Sequence, residues 1–305
     1  MSSQGLADSR GRIVRSLLLA ARPHQWTKNL LVFAALVFGQ KLFVAQLALR
    51  SLLAFALFCA ASSATYLLND VLDAERDRSH PMKRLRPVAS GALPARVALG
   101  VSLALALAAV AGGLALRLRF GESVAAYLVL QLAYSLALKH EVILDVLCIA
   151  AGFVLRAYAG AAVIKVEFSP WLMICTGLLA LFLALAKRRH ELLAVKEAAN
   201  HRRSLAEYSE SLLDQMIAVV TASTLMAYSI YTIWPETVAK FHTDRLKYTI
   251  PFVLYGIVRY LYLVYSRAEG GSPSRHLLTD RPLLADIFLY ALASAWIVSS
   301  HSGGP

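Results

Sequence analysis

Apolar residues run in blocks of about twenty along this chain, separated by short polar segments, rather than alternating with polar ones. A charge-free block of that length, wound as a helix, matches the roughly 30 Å hydrocarbon core of a bilayer. The pattern predicts an all-α integral membrane protein with about nine transmembrane helices. They lie near residues 29–49, 51–69, 97–116, 122–138, 142–164, 169–186, 212–234, 248–266 and 283–300. The 122–138 block is the weakest, being short and interrupted by Tyr127, Gln131 and Tyr134.

Composition agrees: 58% of the 305 residues are hydrophobic and the mean hydropathy is +0.57, too apolar for an ordinary soluble domain. The net charge of +12 raises the question of nucleic acid. Its distribution answers otherwise. Lys and Arg crowd the N-terminal segment (Arg10, Arg12, Arg15, Arg22, Lys28) and the loops on the same side, at 76–96 and 187–203. The opposite loops hold only Lys41, Arg50, Arg117, Arg119, Lys165, Lys240, Arg245 and Lys247. That bias puts the N-terminus on the cytoplasmic side and makes much of the positive charge topological. Cys59, Cys148 and Cys175 sit inside apolar blocks without ligand spacing and read as core residues. Residues 1–22 are basic, read as a loose cytoplasmic segment rather than a cleavable leader, and one domain is expected over 1–305. The long loop after 187 reads as amphipathic, over Lys187 to Lys196 and Leu205 to Leu213.

The block ending at Leu68 runs into Asn69-Asp70-Val71-Leu72-Asp73-Ala74-Glu75-Arg76-Asp77. At about 100° per residue, Asp70, Asp73 and Asp77 fall within roughly 60° of arc, and Glu75 points away. Carboxylates stacked at a membrane edge repel one another unless a cation lies among them, and Mg²⁺ bridging to a phosphorylated substrate suits that place. Pro81 then turns the chain and brings Lys83, Arg84 and Arg86 beside the aspartates. Metal-holding carboxylates next to phosphate-holding cations suit a pyrophosphate leaving group. Membrane topology alone also collects basic residues in such a loop.

Asn-Asp-x-x-Asp-x-x-x-Asp followed by Arg86-Pro87-x-x-x-Gly91 resembles the first motif of the UbiA superfamily of intramembrane prenyltransferases. The resemblance implies nine helices around a central cavity open to the cytoplasm, a Mg²⁺-held pyrophosphate donor, and a multi-pass place in a bacterial inner membrane. Where most members resemble Arg-Thr-x-x-Arg-Pro, this chain has His80-Pro81-x-Lys83-Arg84-x-Arg86-Pro87. With Arg22-Pro23-x-Gln25-Trp26-x-Lys28-Asn29 and Tyr134 to Lys139-His140, it is similar to the phosphoribosyltransferase branch. That branch implies phosphoribosyl pyrophosphate as donor, a polyprenyl (decaprenyl) phosphate as acceptor, and a role in arabinan precursor synthesis. Asp70, Asp73 and Asp77 are then the metal-holding catalytic residues. Asn69, Lys28, Asn29, Lys83, Arg84, Arg86, Tyr134, Lys139, Lys187 and Arg188 become candidates for binding substrate.

Glu141 and Asp145, four apart, read as one helix face at the inner end of the fifth span, where the family resembles Asp-x-x-x-Asp. Glu141 pairing with Lys139 or Lys187 is the structural alternative, and a membrane-edge anchor is the alternative for Lys187 and Arg188. Arg156, in the middle of an apolar span, reads as a buried brace, and Trp26, Trp171, Trp234 and Trp296 lie where interfacial aromatic belts form. Two other functions compete. An aromatic prenyltransferase with a prenyl diphosphate donor would keep the fold with fewer basic residues. A transporter would spread ionisable groups towards the midplane and both faces, whereas here they concentrate on one. A homo-oligomer is compatible with the lipid-facing helices.

Overall fold

The computed structural model describes residues 3–195, 207–266 and 279–300. Among these residues it is all-helical and forms two compact units, residues 1–139 with 151–168, and 140–150 with 169–305.

The first unit opens with α1 (Ser3–Ala21). Residues 1–22 were expected to be loose, yet Ile13, Leu17 and Ala20 pack against Leu67, Val71, Ala74 and Val88. Apolar burial outweighs the basic composition of this segment. The expected 29–49 span is not one helix. A 3-10 stretch (Pro23–Phe33) leads into the short α2 (Ala34–Phe38), and a turn through left-handed Gln40 (φ 55°) ends it before α3 (Ala45–Leu72) begins. With 28 residues, α3 is about 42 Å long, more than a bilayer core requires. It breaks at Asp73 into α4 (Ala74–Arg78); α5 (Ala95–Leu116) and α6 (Leu118–Leu136) follow as a tight hairpin. Two glycines permit that hairpin, since a Cβ on Gly113 would stand 3.1 Å from the Gly121 Cα.

The core of this unit lies between α3, α6 and α7 (Leu144–Ile164), whose residues 151–164 belong here. Phe58 sits 5.4 Å from Tyr127 and 5.9 Å from Phe120, ring to ring. Gly160 on α7 meets the 3-10 stretch so closely that a Cβ would fall 2.0 Å from the Val32 carbonyl oxygen.

The second unit takes residues 144–150 of α7, then α8 (Pro170–Val195), α9 (Glu210–Ile233), α10 (Pro235–Phe241), α11 (Ile250–Ser266) and α12 (Arg281–Ser299). Side-chain caps start two of these helices. Ser209 Oγ accepts from the Leu212 N–H at 3.1 Å, and Asp280 Oδ1 from the Leu283 N–H at 3.0 Å. Phe182, Leu185, Leu213, Ile217, Tyr260 and Leu283 form its core.

Among the described residues, seven helical segments are long and apolar enough to cross a membrane: 45–72, 95–116, 144–164, 170–193, 210–233, 245–265 and 281–298. Two of the nine expected spans are not among them. Residues 29–49 are broken as described. α6 (Leu118–Leu136), which stands where the 122–138 span was expected, carries Arg119, Glu122 and Gln131 and is not apolar enough. The stretch from Lys187 continues α8 instead of starting a surface helix, and residues 196–206 lie outside the described residues.

The Gly160 contact is testable. Gly160→Ala is expected to lower stability by about 1–3 kcal/mol through overpacking, seen as a fall in the thermal unfolding midpoint in detergent. Gly100→Ala, where no atom lies within 4 Å of the new Cβ, is expected to leave that midpoint unchanged or slightly raised.

Candidate active site

The three aspartates keep a helical register across the break at Asp73. The Asp73 N–H donates to the Asn69 carbonyl at 2.9 Å and the Asp77 N–H to the Asp73 carbonyl at 2.8 Å. Asp70 and Asp77 are buried, at 1% and 4% exposure. Where the sequence suggested a metal among the carboxylates, the side chains of this unit supply cations. Arg22 Nη2 lies 2.5 Å from Asp70 Oδ1. Arg86 Nη1 lies 2.6 Å from Asp77 Oδ2 and 3.3 Å from Asp70 Oδ1, so it ties the two together. Lys139 Nζ reaches Asp73 Oδ1 at 2.7 Å.

Each cation is placed by local structure. Arg22 adopts a left-handed conformation (φ 53°) between α1 and the 3-10 stretch, and its guanidinium lies 5.1 Å from the Tyr66 ring centre. Pro81 ends the helical run, and the 3-10 turn Lys83–Leu85 delivers Arg86. His80 Nδ1 fixes that turn by accepting from the Met82 and Lys83 N–H groups at 3.2 and 3.3 Å. Partial burial, with the Lys83 charge beside it, holds His80 below its ordinary value of 6.5 and keeps this acceptor available at neutral pH. Lys83 is half-buried and Arg84 exposed, and of the three cations expected beside the aspartates only Arg86 forms ion pairs with them among the described residues. Asn69, Lys28 and Tyr134 are half-buried.

Asn29 has a different setting. It is fully buried; its amide nitrogen donates to Ser62 Oγ (3.1 Å) and Cys59 Sγ (3.4 Å), and its oxygen accepts from Arg156 Nε (2.8 Å). Arg156 is the buried brace that the sequence suggested, held also by the Gly152 carbonyl and the Tyr127 hydroxyl, both at 2.8 Å. Its partners are neutral rather than acidic.

The second unit has its own charged cluster. Asp145, with no exposure, accepts from Arg188 Nε at 2.6 Å and from the Tyr208 hydroxyl at 2.9 Å. Arg188 also pairs with Glu191, and the exposed Lys187 approaches Glu191 at 3.7 Å. Burial pushes the Tyr208 hydroxyl up to about 12, so it stays a donor. That hydroxyl accepts in turn from the Ile143 N–H at 2.8 Å. Glu141 does not share a helix face with Asp145, because Ile143 is left-handed (φ 69°) and α7 starts only at Leu144. Glu141 is exposed, and Lys187 approaches Glu191 instead.

Sequence reasoning passed over two residues, Arg22 and Tyr208. The first lay within a quoted motif. The second sits in a polar loop with no spacing signal.

Among the described residues, no three His, Cys, Asp or Glu side chains converge closely enough to hold a metal by themselves. A divalent ion that takes one or two carboxylates and completes its shell with substrate phosphate and water does not need three. The first cluster fits that case. Asp70 Oδ2 is buried without a hydrogen-bond partner, an acceptor left over after the ion pairs are counted.

A model described as the UbiA prenyltransferase family matches residues 17–279. The chain is 35% identical to the decaprenyl-phosphate phosphoribosyltransferase of Corynebacterium glutamicum, over 92% of this chain and 84% of that protein. It is 33% identical to the enzyme of the same name from Mycolicibacterium smegmatis, over 97% and 94%. Among solved structures, a UbiA homolog from Archaeoglobus fulgidus bound to GPP and Mg²⁺ superposes with a TM-score of 0.70 at 20% identity, over 93% of this chain and 99% of that one. That last likeness concerns the fold.

Two outcomes follow from the geometry. Asn29→Ala is expected to cost about 1–3 kcal/mol, because it strips Arg156 Nε of its buried acceptor, while leaving the metal concentration needed for half-maximal activity unchanged. His80 favours the neutral form in the folded turn. Its contribution is present above pH 6.5 and is lost as pH falls through its lowered value. Protection of the Met82 and Lys83 amides, measured as exchange relative to the intrinsic rate at each pH, should therefore fall on acidification in wild type and be low and independent of pH in His80→Ala.

Proposed function

The chain belongs to the UbiA prenyltransferase family, and we propose that it transfers the 5-phosphoribosyl group of phosphoribosyl pyrophosphate to a polyprenyl phosphate, releasing pyrophosphate. The observation that carries this reading is likeness over nearly the whole chain to enzymes named decaprenyl-phosphate phosphoribosyltransferase. The acceptor is accordingly decaprenyl phosphate, and the product serves arabinan precursor synthesis in the cell wall. The protein lies in the inner membrane of a bacterium, with its N-terminus and the aspartate cluster on the cytoplasmic side, where the soluble donor is available.

One or two of Asp70, Asp73 and Asp77 would hold Mg²⁺, with phosphate and water completing its shell, and Asp70 Oδ2 is the acceptor already left without a partner. When bound, the ion neutralises charge that builds on the departing pyrophosphate. Arg22, Arg86 and Lys139, now on carboxylates, are placed to transfer their hydrogen bonds to phosphate oxygens as the donor arrives. Lys83 and Arg84, on the adjacent turn, supply further positive charge for the donor's 5-phosphate. The C1–O bond to pyrophosphate breaks through an oxocarbenium-like ribose, and a phosphate oxygen of the acceptor forms the new C1–O bond. That oxygen is ionised at neutral pH, so no protein base is required. The candidate membrane helices present apolar faces along which an isoprenoid tail can lie.

Purified protein given labelled phosphoribosyl pyrophosphate and decaprenyl phosphate should yield a ribosylated lipid. Turnover of a prenyl diphosphate with an aromatic acceptor, and none of the ribosylated lipid, would overturn the reading. Chelation should abolish turnover, and Asp73→Asn should reduce it by at least about 100-fold, the scale on which a lost electrostatic contact to the transition state acts. Arg86→Ala should lower turnover and also destabilise the fold, since it leaves Asp77 buried without its cation.

A further inference from the structure

At the end of the second unit's helices remote from Arg188, aromatic side chains gather. Trp171 at the start of α8 and Trp234 at the end of α9 meet edge to face at 5.2 Å. Tyr248 and Trp296 are 64% and 65% exposed there. In a membrane protein this marks an interface with lipid headgroups.

Between the 3-10 turn Arg245–Thr249, the first turn of α11 and the last turns of α12 lies a groove of about 470 Å³. Arg245, Tyr248, Phe252, Ala293, Trp296 and Ile297 line it. The groove is pre-formed. Ile297 at its base packs on Phe241 and Leu246. The turn that carries Arg245 is pinned by Thr249, whose hydroxyl donates to the Leu246 carbonyl at 2.6 Å and lies 2.6 Å from the Tyr228 hydroxyl.

Its charge is unbalanced. The neighbouring carboxylate, Asp244, is held by Lys247 at 2.5 Å, a hydrogen bond that lowers its pKa, with Arg245 adding only a weaker attraction. The Arg245 guanidinium forms no ion pair among the described residues, though it stands at the mouth of an otherwise apolar and aromatic groove. A soluble anion would use the cation and waste the apolar walls. A neutral lipid would do the reverse.

We propose that this groove binds an anionic phospholipid of the surrounding bilayer, with the phosphate on Arg245, the headgroup between Tyr248 and Trp296, and an acyl chain over Phe252 and Ala293. Arginine suits phosphate through its planar pair of donors, and one cation at the membrane surface gives a roughly five-fold preference for anionic lipid. This site is separate from the aspartate cluster and does not depend on the reaction assigned to it.

The test places the full-length protein in phosphatidylcholine nanodiscs doped with either brominated phosphatidylglycerol or brominated phosphatidylcholine, and follows quenching of tryptophan fluorescence. Half-quenching by the brominated phosphatidylglycerol should need roughly five-fold less lipid. That preference should vanish in Arg245→Gln, persist in Arg245→Lys, and shrink in Trp296→Phe, which removes the tryptophan that lines the groove while Trp171 and Trp234 still report bulk lipid. Equal quenching by the two lipids would overturn the proposal, as would a preference that survives Arg245→Gln. Displacement of the brominated phosphatidylglycerol by a much smaller amount of decaprenyl phosphate would overturn it too, assigning the groove to the isoprenoid lipid.

Discussion

A carboxylate with 1% exposure at the end of a membrane helix, as at Asp70, cannot stay charged by itself, and the first unit is arranged to supply its counter-charge. Arg22 comes from the junction of α1 with the 3-10 stretch, and Arg86 from beyond the turn at Pro81. The same pairs therefore fasten three segments that share little regular structure. Arg22 reaches Asp70 from a left-handed backbone conformation that costs about 1–3 kcal/mol for a residue with a Cβ. Such a conformation persists where the surroundings over-determine it, and here the ion pair, the Tyr66 ring and the packing of α1 all do so.

This arrangement bears on what the cluster binds. Three aspartates meet Arg22, Arg86 and Lys139, so their charges already balance before any substrate arrives. Adding a pyrophosphate to a balanced site would be unfavourable unless more positive charge came with it. A metal ion carried by the diphosphate is one source, and the Lys83–Arg84 turn is another. A donor with a second phosphate group draws on both, which a prenyl diphosphate does not require.

Much of this was legible in the sequence, for definite reasons. Charge-free blocks announce membrane helices because the bilayer leaves few alternatives, and seven segments among the described residues satisfy that rule. The register of Asp70, Asp73 and Asp77 survives a break at Asp73 because the backbone hydrogen bonds continue through it. What was not legible depended on contacts distant in sequence or on single backbone angles. Composition does not reveal that Arg22 finds Asp70, or that Asn29 has both ends of its amide engaged by Ser62 and Arg156. The 29–49 block looked continuous because its polar break, Gln40-Lys41, is short. A left-handed Gln40 is enough to end the helix there.

Ile143 makes the same point with a functional consequence. Two carboxylates four apart form a ligand pair only if the helix between them is unbroken, and a left-handed residue removes that condition. Glu141 is left in solvent, while Asp145 turns inward to Arg188 and Tyr208. Removing Arg188 would leave the buried Asp145 charge uncompensated, and removing Tyr208 would cost it a hydrogen bond, so Asp145 contributes first by holding α7, α8 and the segment before α9 together. On the proposed reading, a divalent ion would find its better-prepared ligands in the first unit, where Asp70 keeps one oxygen without a partner. The difference from a symmetrical pair of acidic motifs lies in one residue's φ angle rather than in the loss of a carboxylate.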